Sequence, residues 1–185
     1  METFCYTPFD LERPGFRLLQ LLRGEGPVIE CLLHQVYLDG ADTVPYSALS
    51  YTWGGTEKAS TVLVDRKALH VTENLYRALQ NLRSKDVDQV LWVDAICIDQ
   101  ENLRERGHQV RHMCKIYSQA EGVIVWLGGA TLETDILMDS LARMEEISSM
   151  FGHKGWDLAR WIRFGRIFLQ RKNIAPLEGL EFFLQ

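Results

Sequence analysis

Little in this sequence points to disulfide, metal or nucleic-acid chemistry. Its four cysteines, Cys5, Cys31, Cys97 and Cys114, are scattered, with no C-x-x-C and no paired metal-ligand spacing. That usage excludes a disulfide framework and suits a reduced, cytoplasmic protein. Cys97 and Cys114 fall in apolar, periodic segments, where free cysteine acts as a small hydrophobe. No apolar run nears the roughly 20 residues that cross a bilayer, so no membrane span is expected. The opening Met1-Glu2-Thr3-Phe4 has neither a basic nor an apolar leader region, which reads as no secretory signal. Net charge is −5 and no basic run exceeds Arg171-Lys172, so nucleic acid is not an expected partner. The basic positions Arg160, Arg163, Arg166, Arg171 and Lys172 read as a solvated helix face. Phosphate-binding loops of the G-x-x-x-x-G-K-S/T and G-x-G-x-x-G kinds are absent. His108 and His112 stand four apart, but Gln109 follows the first, so this is not H-E-x-x-H. An exposed helix face is expected there, and no metal site.

What is present is an ordinary globular balance, 46% apolar and 24% charged over 185 residues, which suits one domain. Residues 1–44 read as a lead-in with an edge hairpin. Phe16–Leu22 and Val28–Val36 form its strands around the turn signal Gly24-Glu25-Gly26-Pro27. Tyr46–Tyr51 reads as a short buried strand stopped by Gly54-Gly55. Ser60–Val64 and Lys67–Val71 flank Asp65-Arg66 as a hairpin. Thr72 is a good N-cap for an amphipathic helix over 73–84, carried by Leu75, Ala78, Leu79 and Leu82. Val90–Ile98 is nearly continuous apolar sequence and reads as a strand buried on both faces. A helix over about 102–119 is expected to bury Leu103, Val110, Met113, Cys114 and Tyr117. Val123–Leu127 reads as a further buried strand and 132–150 as a further helix. This alternation predicts an α/β fold, with a central, mostly parallel sheet flanked by helices.

In such sheets ligands bind beyond the carboxyl ends of the strands. Those ends carry Ser50, Trp53 and Gly54, then Asp94 and Asp99, then Gly128 and Gly129. Ser50, Trp53, Gly54, Asp94 and Asp99 are therefore the candidate ligand-binding residues. Glycine lets a backbone approach a ligand, and the Trp53 indole offers a flat face with one donor. No catalytic residue is assigned, though Ser50 and Asp94 are the candidates. Ser50 lacks a G-x-S-x-G elbow and has no histidine near it in sequence. Asp94 lies in an apolar run, where a carboxylate needs partners; a loop cap or a pairing with Arg106 or Arg111 competes with chemistry. Asp99 reads equally as the N-cap of the helix that follows.

Three segments together resemble fungal heterokaryon-incompatibility (HET) domains. Tyr46-Ser47-Ala48-Leu49-Ser50-Tyr51-Thr52-Trp53-Gly54 resembles their Y-x-A-L-S-Y-x-W-G opening. Leu91–Gln100 resembles their W-V-D-x-x-C-I-D-Q block. Asn102, Glu105-Arg106, Gln109-Val110, Met113, Ile116-Tyr117 and Val125-Trp126-Leu127-Gly128 match the block after that. The resemblance covers about 46–128. It places the domain core at 45–150, with 151–185 as an incomplete C-terminal part of the same domain. It implies a signalling module of non-self recognition and programmed cell death, self-associating or working with other incompatibility or NLR-like proteins.

Ala48–Gly54 is also similar, more distantly, to the first strand of TIR domains, with Val93–Asp99 and Val123–Gly128 in place of the next two. This implies a TIR-like, flavodoxin-like topology. It brings in NAD as a substrate, with no cofactor, and leaves enzymatic activity open. The family's R-V-W-x-x-Q-E block would hold the catalytic glutamate. Here the nearest segment, Arg166-Ile167-Phe168-Leu169-Gln170-Arg171, is one residue short and has arginine where glutamate is expected. An arginine there would repel positive charge developing on a ribose. A degenerate paralogue without activity is the remaining alternative.

Overall fold

The structure is a computed structural model and describes residues 2–8, 10–38, 44–53, 55, 57–129, 136, 139, 140 and 143. The chain divides into two compact units, Met1–Gly129 and Ala130–Gln185. In the second, residues 136, 139, 140 and 143 are helical, with the Ser140 hydroxyl donating to the Ile136 carbonyl at 2.6 Å. The rest of the helix expected over 132–150, the basic stretch at 160–172 and the Gln170-Arg171 segment lie outside the described residues.

The first unit holds strands β1 (Gly15–Leu21), β2 (Glu30–Tyr37), β3 (Ser47–Tyr51), β4 (Ser60–Val64) and β5 (Lys67–Val71). Helix α1 (Glu73–Leu82), β6 (Gln89–Trp92), α2 (Asp94–Cys97), α3 (Leu103–Gln119) and β7 (Gly122–Trp126) follow. The strands form one seven-stranded sheet in the order β5-β4-β2-β1-β6-β3-β7. The fold is thus α/β, but the sheet is mixed, which corrects the expectation of a mostly parallel one. Three neighbouring pairs run antiparallel (β1–β2, β1–β6, β4–β5) and three parallel (β2–β4, β3–β6, β3–β7). Regular strand–helix alternation holds only after β5; before it, the short connections β1–β2 and β4–β5 join their strands as antiparallel hairpins.

Local signals behave as their chemistry requires. Asp65 and Arg66 both take positive φ (50° and 66°), the backbone of a tight two-residue hairpin turn between β4 and β5. The Thr72 hydroxyl accepts from the Leu75 N–H at 3.3 Å and starts α1. Leu75, Ala78 and Leu79 are buried as the helical spacing predicts, each leucine worth about 1.5–3 kcal/mol of apolar burial.

Five expectations change. Strand β1 is central, paired with β2 on one side and β6 on the other, with Phe16, Leu18, Leu19 and Leu21 all buried. The edge position expected for it is therefore wrong; its apolar residues are buried on both faces, Phe16 and Leu18 on one and Leu19 and Leu21 on the other. The strand expected to run to Ile98 stops at Trp92. Val93 then caps a one-turn helix, its carbonyl accepting from Ile96 N–H (3.0 Å) and Cys97 N–H (2.7 Å). Continuous hydrophobicity does not separate a buried strand from a buried turn. Strand β7 lies at the sheet edge with Val123 and Val125 exposed, so it is not a buried strand.

Helix α3 buries Glu105, His108, Gln109 and Ile116, while Leu103 (70% exposed) and Val110 (58%) face out. Tyr117 and Met113 of the expected stripe pack against the core, but Cys114 is exposed. His108 is buried against His112, ring centroids 4.6 Å apart, contrary to the exposed face expected. Polar partners override the apolar pattern. The Glu105 carboxylate takes both guanidinium nitrogens of Arg17, and Gln109 Nε2 donates to the Gly15 carbonyl at 2.7 Å.

Candidate functional site

The chain leaves β3 for β6 on one side and returns through α3 to β7 on the other. The direction of winding reverses at β3, and the carboxyl ends of β6, β3 and β7 open side by side. That is where an open sheet leaves a crevice for a ligand.

Trp53 and Asp94 meet there. Trp53 Nε1 donates to Asp94 Oδ2 at 3.1 Å across 41 residues of sequence. The other carboxylate oxygen accepts from the Ala95 N–H at 2.7 Å, and Gln100 Nε2 donates to the Asp94 carbonyl at 2.9 Å. Among the described residues no cation pairs with Asp94, so the competing role as partner of Arg106 or Arg111 is not found. Burial raises its carboxyl above the usual range, against the opposing hydrogen bonds from Trp53 and Ala95. Burial, and then the Asp94 carboxylate, push the Tyr51 hydroxyl upward too.

The strand ends are tied to the start of α1. Asn74 Nδ2 donates to the Thr52 carbonyl at 2.6 Å, and Trp126 Nε1 donates to Asn74 Oδ1 at 2.9 Å. Asn74 was not singled out from sequence. Only folding brings the residue after a hairpin and a cap beside the ends of β3 and β7.

A cleft of about 580 Å³ opens beside Trp53, between the start of α1 and the turn into α3; Tyr51, Lys58, His70, Gln100 and Arg106 help to line it. A smaller one of about 370 Å³ lies on the other side, towards Asn74, Arg77 and Gly129. Trp53 lines both. Lys58 lies in the loop before β4, His70 in β5 and Arg106 in α3, and none carried a sequence signal of convergence.

The remaining candidates separate from this pair. Ser50 lies opposite Val125 in the β3–β7 register and lines neither cleft. Gly54 lies outside the described residues. Asp99 lines neither cleft. Its N–H donates to Glu105 Oε1 at 2.7 Å and its Oδ1 accepts from the Glu101 N–H at 3.2 Å. Nor does Asp99 cap α3: Asn102 does, its Oδ1 accepting from the Arg104 and Glu105 N–H groups at 3.2 Å each.

A buried network that sequence reasoning missed stands close by in the chain. Besides the Glu105 pair, Arg17 donates to the Cys97 carbonyl (3.2 Å) and the Thr7 carbonyl (2.9 Å), and lies over the Tyr6 ring at 5.0 Å. Tyr6 in turn donates to the Ile96 carbonyl at 3.0 Å. The signals were an arginine inside an apolar strand and a glutamate three residues after the cap Asn102. Their pairing, across 88 residues, is legible only in the fold.

Fold and site define an α/β domain in which parallel strand ends frame an aromatic–carboxylate pair. The chain belongs to the heterokaryon incompatibility protein (HET) family, whose pattern matches residues 46–171, more than half of its length. It is 38% identical over 112 residues to heterokaryon incompatibility protein 6, OR allele, of Neurospora crassa, a match covering 54% of this chain. The chain spans 16% of that relative's length. No solved structure matches. Among the described residues no helix is long and apolar enough to cross a membrane, and no group of three metal-ligating side chains converges.

Proposed function

We propose that this chain is a signalling module of fungal non-self recognition and programmed cell death, acting in the cytoplasm by self-assembly or by binding incompatibility or NLR-like partners. Membership of the family supports the setting. The observation that carries the mode of action is strand β7. Among the described residues its outer edge is unpaired, with Val123 and Val125 exposed, whereas the opposite edge strand β5 is bridged by Thr3 and Phe4. An unpaired apolar edge can accept a strand from another chain. The parallel order β6-β3-β7 supports a flavodoxin-like, TIR-like core for the domain proposed at 45–150, and the family match to 171 supports counting 151–171 in it. Light scattering over a concentration series tests the mode. Mass should rise with concentration, and Val125→Lys should hold the protein at its smallest mass. A chain that stays monomeric throughout overturns self-assembly.

The second reading, a nicotinamide-releasing NAD hydrolase, is favoured by one observation: the Trp53–Asp94 pair beside a cleft at the strand ends. Glu101 lines that cleft and is the carboxylate this reading would use in place of the missing Q-E block. Incubation with NAD and assay of free nicotinamide tests it. Turnover lost in both Glu101→Gln and Asp94→Ala supports it; no turnover from concentrated protein overturns it.

A further inference from the structure

We propose that the cleft beside Trp53 binds a planar organic phosphate, its ring stacked on an indole that Asp94 holds in place and its phosphate met by Lys58 and Arg106. The proposal rests on the same cleft as the NAD reading but not on its chemistry, since nothing is cleaved.

Three observations carry it. The first is size and lining. A cleft of about 580 Å³ with Leu75, Val71 and Ala95 in its wall is of the kind that takes a small organic ligand. The second is charge. Lys58 and Arg106 both line it, and among the described residues neither side chain has an ion-pair or hydrogen-bond partner; Glu101 is the carboxylate in the wall. Lys58 and Arg106 are exposed to solvent on the wall of the cleft; unneutralised cations placed together attract anions, and a phosphate gives both of them charge-assisted hydrogen bonds.

The third is the platform. Trp53 is 49% exposed, yet its ring is not free to turn, because Nε1 is bonded to Asp94. Asp94 is itself fixed by the Ala95 N–H and, through its carbonyl, by Gln100, another residue of the cleft wall. A large flat apolar face is thus held open at the rim with its rotamer entropy already spent, which favours stacking of a planar ring. A bare anion would need no such face. Asp94 is here a positioning residue.

The test uses the full chain and calorimetric titration with adenosine 5′-monophosphate, adenosine and inorganic phosphate. The monophosphate should bind more tightly than either of its parts. Lys58→Ala with Arg106→Ala should weaken the monophosphate about tenfold or more while leaving adenosine unchanged, as expected for charge-assisted bonds. Trp53→Ala should weaken monophosphate and adenosine alike. Asp94→Ala should weaken both and reduce near-ultraviolet dichroism from the indole, whereas Asp94→Asn, which keeps an acceptor oxygen, should restore both readouts. No binding of the monophosphate at millimolar concentration overturns the proposal. So does equal affinity in the Lys58/Arg106 double variant, or inorganic phosphate binding as tightly as the monophosphate. Nicotinamide release is assayed alongside: monophosphate binding without turnover rejects the NAD reading and leaves this one standing.

Discussion

Glu105 and Asp94 are carboxylates on neighbouring turns of the chain, and their surroundings could hardly differ more. Glu105 is 2% exposed and fully engaged, by both guanidinium nitrogens of Arg17 and by the Asp99 N–H. Asp94 has one bond from Trp53, one from Ala95 and, among the described residues, no cation. The first arrangement is architecture. It joins β1 to α3 and, through the Thr7 and Cys97 carbonyls, anchors the N-terminal segment and α2. The second leaves a carboxyl raised by burial next to a half-exposed indole, the condition in which an acidic group is available to a ligand. Burial alone does not distinguish structural from functional acids; the number and sign of the partners does.

The largest test of that contrast is Glu105→Ala, which strands the Arg17 charge in the core. We expect a loss of about 3–5 kcal/mol in urea unfolding. Replacing both partners, Arg17→Met with Glu105→Leu, should destabilise by clearly less than the two single changes added together. A loss no larger than that of a surface change would remove Glu105 from the architectural class.

Next comes Gln109→Ala, which deprives the buried Gly15 carbonyl of its donor and should lower stability by about 1–3 kcal/mol. Thr72→Ala, at the start of the helix that walls the cleft, should lower it by about 1 kcal/mol. Asp94→Ala belongs at the bottom, within about 1 kcal/mol by thermal or urea unfolding, because relief of desolvation offsets the lost bond from Trp53. Its effect should fall instead on ligand binding; a loss as large as that of Glu105→Ala would collapse the comparison.

The pH dependence sharpens it further. Burial raises the Asp94 carboxyl, so the folded chain holds that proton more tightly than the unfolded chain. The stabilising contribution is then fully present in acid below the ordinary carboxylate value. It is lost as pH rises from that value through the raised one. Stability of the natural chain relative to Asp94→Asn should therefore fall across that window and level off above it. A difference that grows with pH would show that the Trp53 bond dominates over burial.

Much of the local structure was legible in the residues. Asp65-Arg66 between two alternating strands, Thr72 before a 3.6-residue apolar period, and the glycines after β7 act through their own backbone chemistry, which neighbours in sequence suffice to express. The convergence of strand ends was legible in part: β3, β6 and β7 do run parallel with their carboxyl ends together, although β6 stops at Trp92 where a strand to Ile98 is expected and β7 is an edge strand where a buried one is expected. Trp53 and Asp94, both candidates from those strand ends, are hydrogen-bonded to each other in the fold. Asp99, grouped with them by sequence, is carried by the helix turn to the Glu105 side.

Sequence, then, determined most of the elements, the family and two residues of the candidate site, since turns, caps and motifs are properties of short stretches of chain. Tertiary structure alone decided the rest. That β1 is central, that β7 is an edge, and that α3 presents Glu105 and Gln109 inward depend on partners 68 to 94 residues away. A charge can be buried only where its counter-charge has already been delivered, and no local pattern records that delivery. For the same reason Lys58, His70 and Arg106, unremarkable in their own segments, became the wall of one cleft only when β5, α1 and α3 had packed.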